Sequence, residues 1–348
     1  MINNKLYLDS VKSIANLDYD WGKLKNKTIL IAGARGLIGS FFIDLIMYLN
    51  KKEKLNCTIL AIGRNKEKLE ERFNDYNNNS NFKIYELDIN NNFDIDIDVD
   101  YIIHGASNTH PVAYSTDPVG TITTNVIGLY NLLNLAVAKK VKKFIFLSSV
   151  EVYGENSNNV DSFTEIDFGY INCNTLRAGY PESKRLGEAL CQAYIQQYDL
   201  DISIARISRV YGPTVLKGDS KAIFQFINKA VNNENIVLKS EGNQYFSYSY
   251  VGDVVSAIAL LLFKGQNGEV YNVADSNSNI LLRDLAKLIA NYVGKEVVFE
   301  LPNETERKGF SVATKAVIDG TKLESLGFVP LTPIDKGIKV TIDILKEI

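Results

Sequence analysis

The chain has 348 residues, 46% of them hydrophobic, which exceeds one typical domain and is ample for a sizeable core. A net charge of -3 and an isoelectric point near 5.6 provide no broad basic field, which argues against a nucleic-acid partner and for a small ligand. Cys57, Cys173 and Cys191 carry no metal-ligand or disulfide spacing and fit a reducing compartment; no metal site is expected, and with no window approaching the ~20 apolar residues that span a bilayer we expect a cytoplasmic protein with no membrane partner.

Residues 1–26 precede the first strand, and Leu6, Leu8, Val11, Ile14 and Leu17 fall on one side of a helix, an extension suited to covering a sheet edge. The apolar run Thr28 to Ala32 leads straight into Gly33-Ala34-Arg35-Gly36-Leu37-Ile38-Gly39. A strand, a glycine turn and a helix in that order allow a tight turn, close backbone approach and a positive helix end, which together suit a pyrophosphate. Further strands are predicted over 58–62, 82–87, 101–103, 144–147 and 202–207, alternating with amphipathic helices. The acidic stretch Asp94 to Asp98 reads as a solvated approach to the next strand rather than a strand itself. The alternation predicts an α/β protein with a Rossmann-like doubly wound parallel sheet.

Beyond about residue 213 the alternation loosens, with helices predicted over 222–231 and 282–293 and strands over 248–251 and 270–273. This divides the chain into the extension, a dinucleotide-binding domain over 27–212 with a returning segment at about 246–275, and a smaller, interleaved substrate lobe drawn mainly from 213–348.

Tyr180 and Lys184 stand four positions apart in Tyr180-Pro181-Glu182-Ser183-Lys184, so a helix presents both on one face. An ammonium beside a phenol favours the phenolate and makes it a usable acid/base near neutral pH. Ser149 closes the run Phe144 to Leu147 and offers a hydroxyl to a substrate oxygen while hydride moves to or from a nicotinamide. The plain alternative, an ordinary surface tyrosine and lysine, loses ground once these residues are joined to the glycine loop.

At these residues the chain resembles the extended short-chain dehydrogenase/reductases, the nucleotide-sugar epimerases and dehydratases. The resemblance runs nearly the full length, through His104-Gly105-Ala106-Ser107, Asp117-Pro118, Thr124-Asn125-Val126-Ile127-Gly128, Ser148 to Gly154, Arg206, Val210-Tyr211-Gly212-Pro213, Tyr250-Val251-Gly252-Asp253, Tyr271-Asn272-Val273 and Leu326-Gly327-Phe328. It implies a catalytic set of Ser149, Tyr180 and Lys184, a nicotinamide dinucleotide, a nucleoside diphosphate sugar or related small molecule as substrate, and a homodimer through a four-helix interface. Gly33, Arg35, Gly36, Leu37, Ile38, Gly39, Arg64, Asp88, Ile89, Ala106, Ser107, Asn125 and Lys184 are the implied cofactor contacts, with Asp88-Ile89 at the adenine.

Glu151 occupies the place of a catalytic glutamate in sugar dehydratases and UDP-glucuronate decarboxylases, and the stretch from Arg177 to Lys184 is similar to the decarboxylases. The dehydratase aspartate, however, is replaced by Val150. Glu151 is therefore either a base beside a ketone or a hydrogen-bonding partner of backbone or substrate hydroxyls. Phe246 stands where many relatives carry an arginine on the substrate pyrophosphate, while Arg209 replaces the family's asparagine and offers a bidentate phosphate grip from another direction. Arg307 is the other candidate phosphate ligand. The second strand ends Ala61-Ile62-Gly63-Arg64-Asn65 without the acidic residue that bonds a ribose 2'-hydroxyl, so Arg64 and Arg35 favour NADP, with NAD the alternative. His104 reads as a packed, hydrogen-bonded core residue; Asn108 and His110 fall in the loop that lies between nicotinamide and substrate in the family.

These readings point to an NAD(P)-dependent nucleotide-sugar enzyme of the epimerase/dehydratase type that works by hydride transfer through a keto-sugar. One alternative is an NADPH-dependent reductase of a nucleotide-linked keto-sugar or alditol precursor. Another is a non-catalytic, cofactor-binding regulatory module.

Overall fold

The computed structural model describes residues 1–109, 111–157, 159–300, 302 and 313–348; His110 and Arg307, two of the predicted site residues, lie outside the described residues. In chain order the strands of the larger lobe begin with β1 (Thr28–Ala32), β2 (Thr58–Gly63), β3 (Phe82–Glu86), β4 (Tyr101–His104), β5 (Lys143–Ser149) and β6 (Ile202–Ile207). They are followed by β7 (Arg209–Tyr211), β8 (Ile236–Leu238), β9 (Tyr245–Tyr250), β10 (Val270–Val273), β11 (Asn279–Leu281), β12 (Val297–Phe299) and β13 (Lys315–Ala316).

Seven of them form a parallel sheet in the order β10-β6-β5-β4-β1-β2-β3. Along β1 the side chains alternate between two apolar clusters: Ile29 and Ile31 enter one, Leu30 and Ala32 the other. A strand buried on both faces is what helices on either side of a parallel sheet require. The strand order reverses between β1 and β4, which opens a crevice at the carboxyl ends of the two strands. The predicted doubly wound α/β sheet is thus present, and 270–273 joins it as its outer strand β10. Asp94 to Asp98 is not a strand, although Ile95 within it is fully buried.

The helices are α1 (Lys5–Ala15), α2 (Leu37–Glu53), α3 (Lys66–Arg72), α4 (Pro111–Thr116), α5 (Pro118–Thr123), α6 (Leu129–Lys139) and α7 (Gly179–Tyr198). Then come α8 (Ala222–Val231), α9 (Val251–Lys264), α10 (Leu282–Val293), α11 (Thr321–Glu324) and α12 (Ile334–Lys346). The second lobe joins β9 to β7, β11 and β13, with β8 paired to β12 alongside α8 and α10. Its strands come from 209–250 and 279–316, so β7 and β9 belong to this second sheet.

Two expectations need correction. The extension does form a helix, but its packed stripe is Tyr7, Val11, Ile14 and Ala15, and it docks on the helices α2, α9 and α12; the sheet edges are β3 and β10, so it covers a helix layer instead of an edge. What fixes it is Asp44, buried on α2, which accepts hydrogen bonds from Tyr7 Oη at 2.6 Å and Tyr76 Oη at 2.9 Å and pairs with Arg72 at 2.6 Å. The second correction concerns apolar length. A π-helical turn, Thr124–Gly128, joins α5 to α6 into one helix over Pro118–Lys139, and these 22 residues are long and apolar enough to cross a bilayer. Half of its most apolar window is buried within the protein, against neighbours that include α7.

Candidate active site

β1 delivers the chain into the glycine turn, where close packing dictates the residue type at two positions. A Cβ on Gly33, whose φ is +89°, would meet Ala106 N at 2.7 Å; one on Gly39 would meet Gly33 O at 2.4 Å. Gly36 caps α2 with no side-chain hydrogen bond, so no side chain satisfies the first backbone N–H groups of the helix, and Gly36, Leu37 and Ile38 line the crevice. The cradle fits a dinucleotide pyrophosphate by this observation alone.

From that cradle a cavity of about 1210 Å³ runs between the lobes. Gly33, Arg35, Gly36, Leu37, Ile38, Gly39 and Arg64 line one end, with Ser107, Asn108, Ser149, Glu151, Tyr180, Lys184 and Arg209 further in. Asp88 lines a neighbouring depression that also reaches Arg64. Ala106, Ile89 and Asn125 do not line the cavity; the Asn125 amide instead donates to Ser183 Oγ at 2.9 Å, and Ile89 packs where a Cβ on Gly128 would sit. Lys68, which the sequence does not single out, is a further cation lining the same cavity as Arg35 and Arg64. Its spacing of four from Arg64 was the available signal.

Tyr180 opens α7, with Pro181 in the first turn where no intrahelical N–H bond is required. Burial pushes its phenol up to about 12, against the lowering effect of a Ser149 hydrogen bond; the Glu151 charge raises it and the Arg177 charge lowers it by smaller amounts. Lys184 is not among these influences. Its ammonium donates to Leu147 O at 2.8 Å and sits 4.8 Å from the Phe146 ring centroid, and burial brings its pKa down to about 8. The direct ammonium–phenol coupling expected from the four-residue spacing is therefore replaced by a backbone contact in this geometry.

Ser149 ends β5, and its Oγ accepts the Glu151 N–H at 3.2 Å, which turns the chain into the short 3-10 helix Val150–Tyr153. Glu151 lies between two arginines: Arg177 donates to Oε2 at 2.8 Å and Arg209 stands 3.5 Å from Oε1. Burial raises the Glu151 carboxyl, but Arg177 and Arg209 outweigh it and hold the group below the usual glutamate range. Arg209 itself lies over the Phe246 ring, 3.5 Å from its centroid. Arg177 lies 4.7 Å from the ring centroid of Tyr114, and that ring stacks on Tyr180 at 4.9 Å. Tyr114 was not singled out from the sequence, because nothing local marks an aromatic in a short helix as a neighbour of a residue far along the chain.

His104 is fully buried beside Phe144 and Phe146, as a core residue, yet neither ring nitrogen has a hydrogen-bond partner among the described residues. Burial drives its pKa well below the ordinary histidine value, so the ring is neutral and its expected hydrogen bond is not formed.

The sequence model of the NAD dependent epimerase/dehydratase family matches residues 29–274, from β1 through β10. The chain belongs to this family. UDP-glucuronic acid decarboxylase 1 of Xenopus tropicalis is 30% identical over 326 residues, covering 92% of this chain and 72% of that protein. Among solved structures, UDP-glucose 4-epimerase of Thermotoga maritima with UDP-glucose is 26% identical with a TM-score of 0.77, covering 92% of this chain and 99% of the other. UDP-glucuronic acid 4-epimerase of Bacillus cereus, in complex with UDP-glucuronic acid and NAD, has the same fold with a TM-score of 0.77 at 23% identity, covering 92% of this chain and 99% of its own. Membership in this NAD-dependent enzyme family accounts for the glycine cradle and the seven-stranded sheet together.

Proposed function

We propose that the protein oxidises a sugar carried on a nucleoside diphosphate at the hydroxyl facing Tyr180, passes through a keto-sugar, and releases an epimerised, dehydrated or otherwise rearranged nucleotide sugar. The observation that carries this reading is the convergence of Ser149, Glu151 and Tyr180 on one cavity that begins at the glycine cradle. Gly33, Gly36, Gly39 and Lys184 would hold a nicotinamide dinucleotide, which when bound would supply hydride acceptance and return. Tyr180 takes the proton from the sugar hydroxyl, and Ser149, bonded to its phenol, orients that oxygen. The enclosed position of Tyr180, only 7% exposed, keeps water from competing for the proton. Retention of all three residues along one wall favours catalysis over a purely regulatory, cofactor-bound role.

NADP is the favoured cofactor in this proposal. Arg35, Arg64 and Lys68 border the end of the cavity beyond the glycine cradle, and a 2'-phosphate there would neutralise a cationic cluster. We also propose a homodimer. Val119, Ile122 and Tyr130 on the Pro118–Lys139 helix and Leu186 and Tyr198 on α7 are exposed apolar groups on helices that pack side by side, a face suited to a second copy.

The test is mass spectrometry of the nucleotide retained through mild purification, followed by turnover of that compound with absorbance followed at about 340 nm. A transformed sugar without net absorbance change supports the recycling reading. Stoichiometric NADPH consumption supports the reductase, and no transformation of any nucleotide sugar supports the regulatory module.

A further inference from the structure

Tyr180, Lys184 and Glu188 follow one another at intervals of about one turn along the buried face of α7. They meet three successive residues at the end of β5. Ser149 bonds the Tyr180 phenol, the Lys184 ammonium donates to Leu147 O at 2.8 Å, and Ser148 Oγ donates to Glu188 Oε1 at 2.5 Å. Tyr180, Ser149 and Lys184 have roles in the mechanism proposed above; Glu188 has none. Yet a buried carboxylate is costly unless it is paired and hydrogen-bonded. Arg206, on the neighbouring strand β6 and in register with Ser148, supplies the pair through two donors, Nε to Oε1 at 3.0 Å and Nη2 to Oε2 at 2.7 Å. The guanidinium lies against the rings of Tyr153 and Phe168, at 4.9 and 5.0 Å from their centroids, and its third nitrogen donates to Tyr153 Oη and Glu165 O.

Resting on the function proposed above, we infer that Glu188 is a positioning residue of the active site: through Ser148 it fixes the strand end that presents Ser149, and its negative charge supports the Lys184 ammonium. The tether follows from the chain. Ser148 and Ser149 share a peptide unit, so a hydrogen bond that pins the Ser148 side chain limits how far the Ser149 hydroxyl can drift from Tyr180. Oε1 of Glu188 accepts from Ser148 as well as from Arg206, a sharing that an ion pair serving stability alone does not require. The charge follows from what surrounds Lys184. From β5 it meets Leu147 O and the Phe146 ring, from β4 it faces His104, and along α7 it faces Cys191 and Glu188. Burial keeps His104 neutral. The Cys191 thiol, raised by burial and by Glu188, stays protonated. Burial brings the ammonium down to about 8, with Cys191 and Glu188 acting upward, and of these two Glu188 is the anion.

The test follows dinucleotide affinity against pH by calorimetric titration, and kcat on the nucleotide sugar that the wild-type protein transforms. Affinity of the wild-type protein falls as Lys184 loses its proton above about pH 8. Glu188→Gln moves that fall to lower pH by about half a unit or more, because the ammonium has lost its anion, and lowers kcat about tenfold. Ser148→Ala cuts the tether and keeps the charge, so kcat drops at least about threefold while the affinity profile stays within about 0.2 pH unit of wild type. Should Glu188→Gln fail to fold, Glu188→Leu combined with Arg206→Met removes the anion together with its counter-charge, an exchange that buried ion pairs often tolerate, and shows the same downward shift. A profile unmoved by loss of the carboxylate overturns the charge effect, as does a wild-type affinity that is constant between about pH 7 and 10. A kcat within about twofold of wild type in Ser148→Ala overturns the tether, and both results together leave Glu188 to stability alone. The binding measurement needs no sugar: a wild-type protein that transforms no nucleotide sugar overturns the proposed function, and the tether with it, while dinucleotide affinity still decides the charge effect.

Discussion

Glu151 accepts a 2.8 Å hydrogen bond from Arg177, and this contact sets the state in which the carboxylate meets a substrate. With Arg209 on its other oxygen, Glu151 is ionised at neutral pH and its proton affinity is reduced. It can still serve as a base toward a carbon made acidic by an adjacent ketone, but only weakly.

Turnover in deuterated water measures that role. If Glu151 removes a carbon-bound proton, wild-type product carries solvent deuterium at carbon and Glu151→Gln suppresses the exchange by at least about tenfold. Turnover without deuterium at carbon would leave Glu151 as the partner of the arginines alone.

The alkaline limb of the pH profile should report Lys184. Its pKa of about 8 lies below the ordinary lysine value, so the ammonium is lost from the folded protein first as pH rises, and kcat/KM falls above about pH 8. Because the unfolded chain still holds that proton, the contribution of Lys184 to stability increases with pH between the folded value and the ordinary lysine range. The falling limb is therefore not unfolding. Lys184→Arg, which stays charged, should move the limb upward; an unchanged limb would point to another group.

Arg35→Ala combined with Arg64→Ala should weaken NADP binding by about tenfold or more and NAD binding much less, since the additional phosphate is the group they would meet. Calorimetric titration with both dinucleotides decides it. Equal losses, or a wild-type protein that prefers NAD, would refute the NADP assignment.

Asp44→Ala leaves the Arg72 guanidinium and the Tyr7 and Tyr76 hydroxyls without their shared acceptor. Removal of one partner from a buried, charged network costs about 3–5 kcal/mol. Urea unfolding should show a loss of that order, and a loss below about 1 kcal/mol would mean that α1 is held by its apolar stripe alone.

The parts of this molecule that were legible in the sequence are those whose cause is local. The glycine turn is one: Gly33 and Gly39 are required by backbone contacts within a few residues or across one strand pair. The boundaries of β1, β6, α8 and α10 follow directly from apolar period and flanking polar residues. What stayed hidden depends on long-range register. Arg209 meets Glu151 because β5 and β6 lie side by side and the chain continues into β7, and Phe246 reaches Arg209 because β7 pairs with β9. Lys184 could be placed on the face of Tyr180, yet nothing in its spacing reveals that Leu147 O competes for its ammonium. The extension was legible as a helix but not in its docking, since Tyr7, a polar aromatic, supplies the buried anchor that hydrophobic periodicity does not count.

The central claim, proton transfer by Tyr180 at an oxidised sugar carbon, is tested most directly by Tyr180→Phe. Loaded with dinucleotide and mixed with the nucleotide sugar that the wild-type protein transforms, the variant should bind both ligands with near-normal affinity and keep its fold, while turnover drops by a factor on the order of 10² or more. Turnover within about threefold of wild type in that folded, ligand-bound variant would contradict the account.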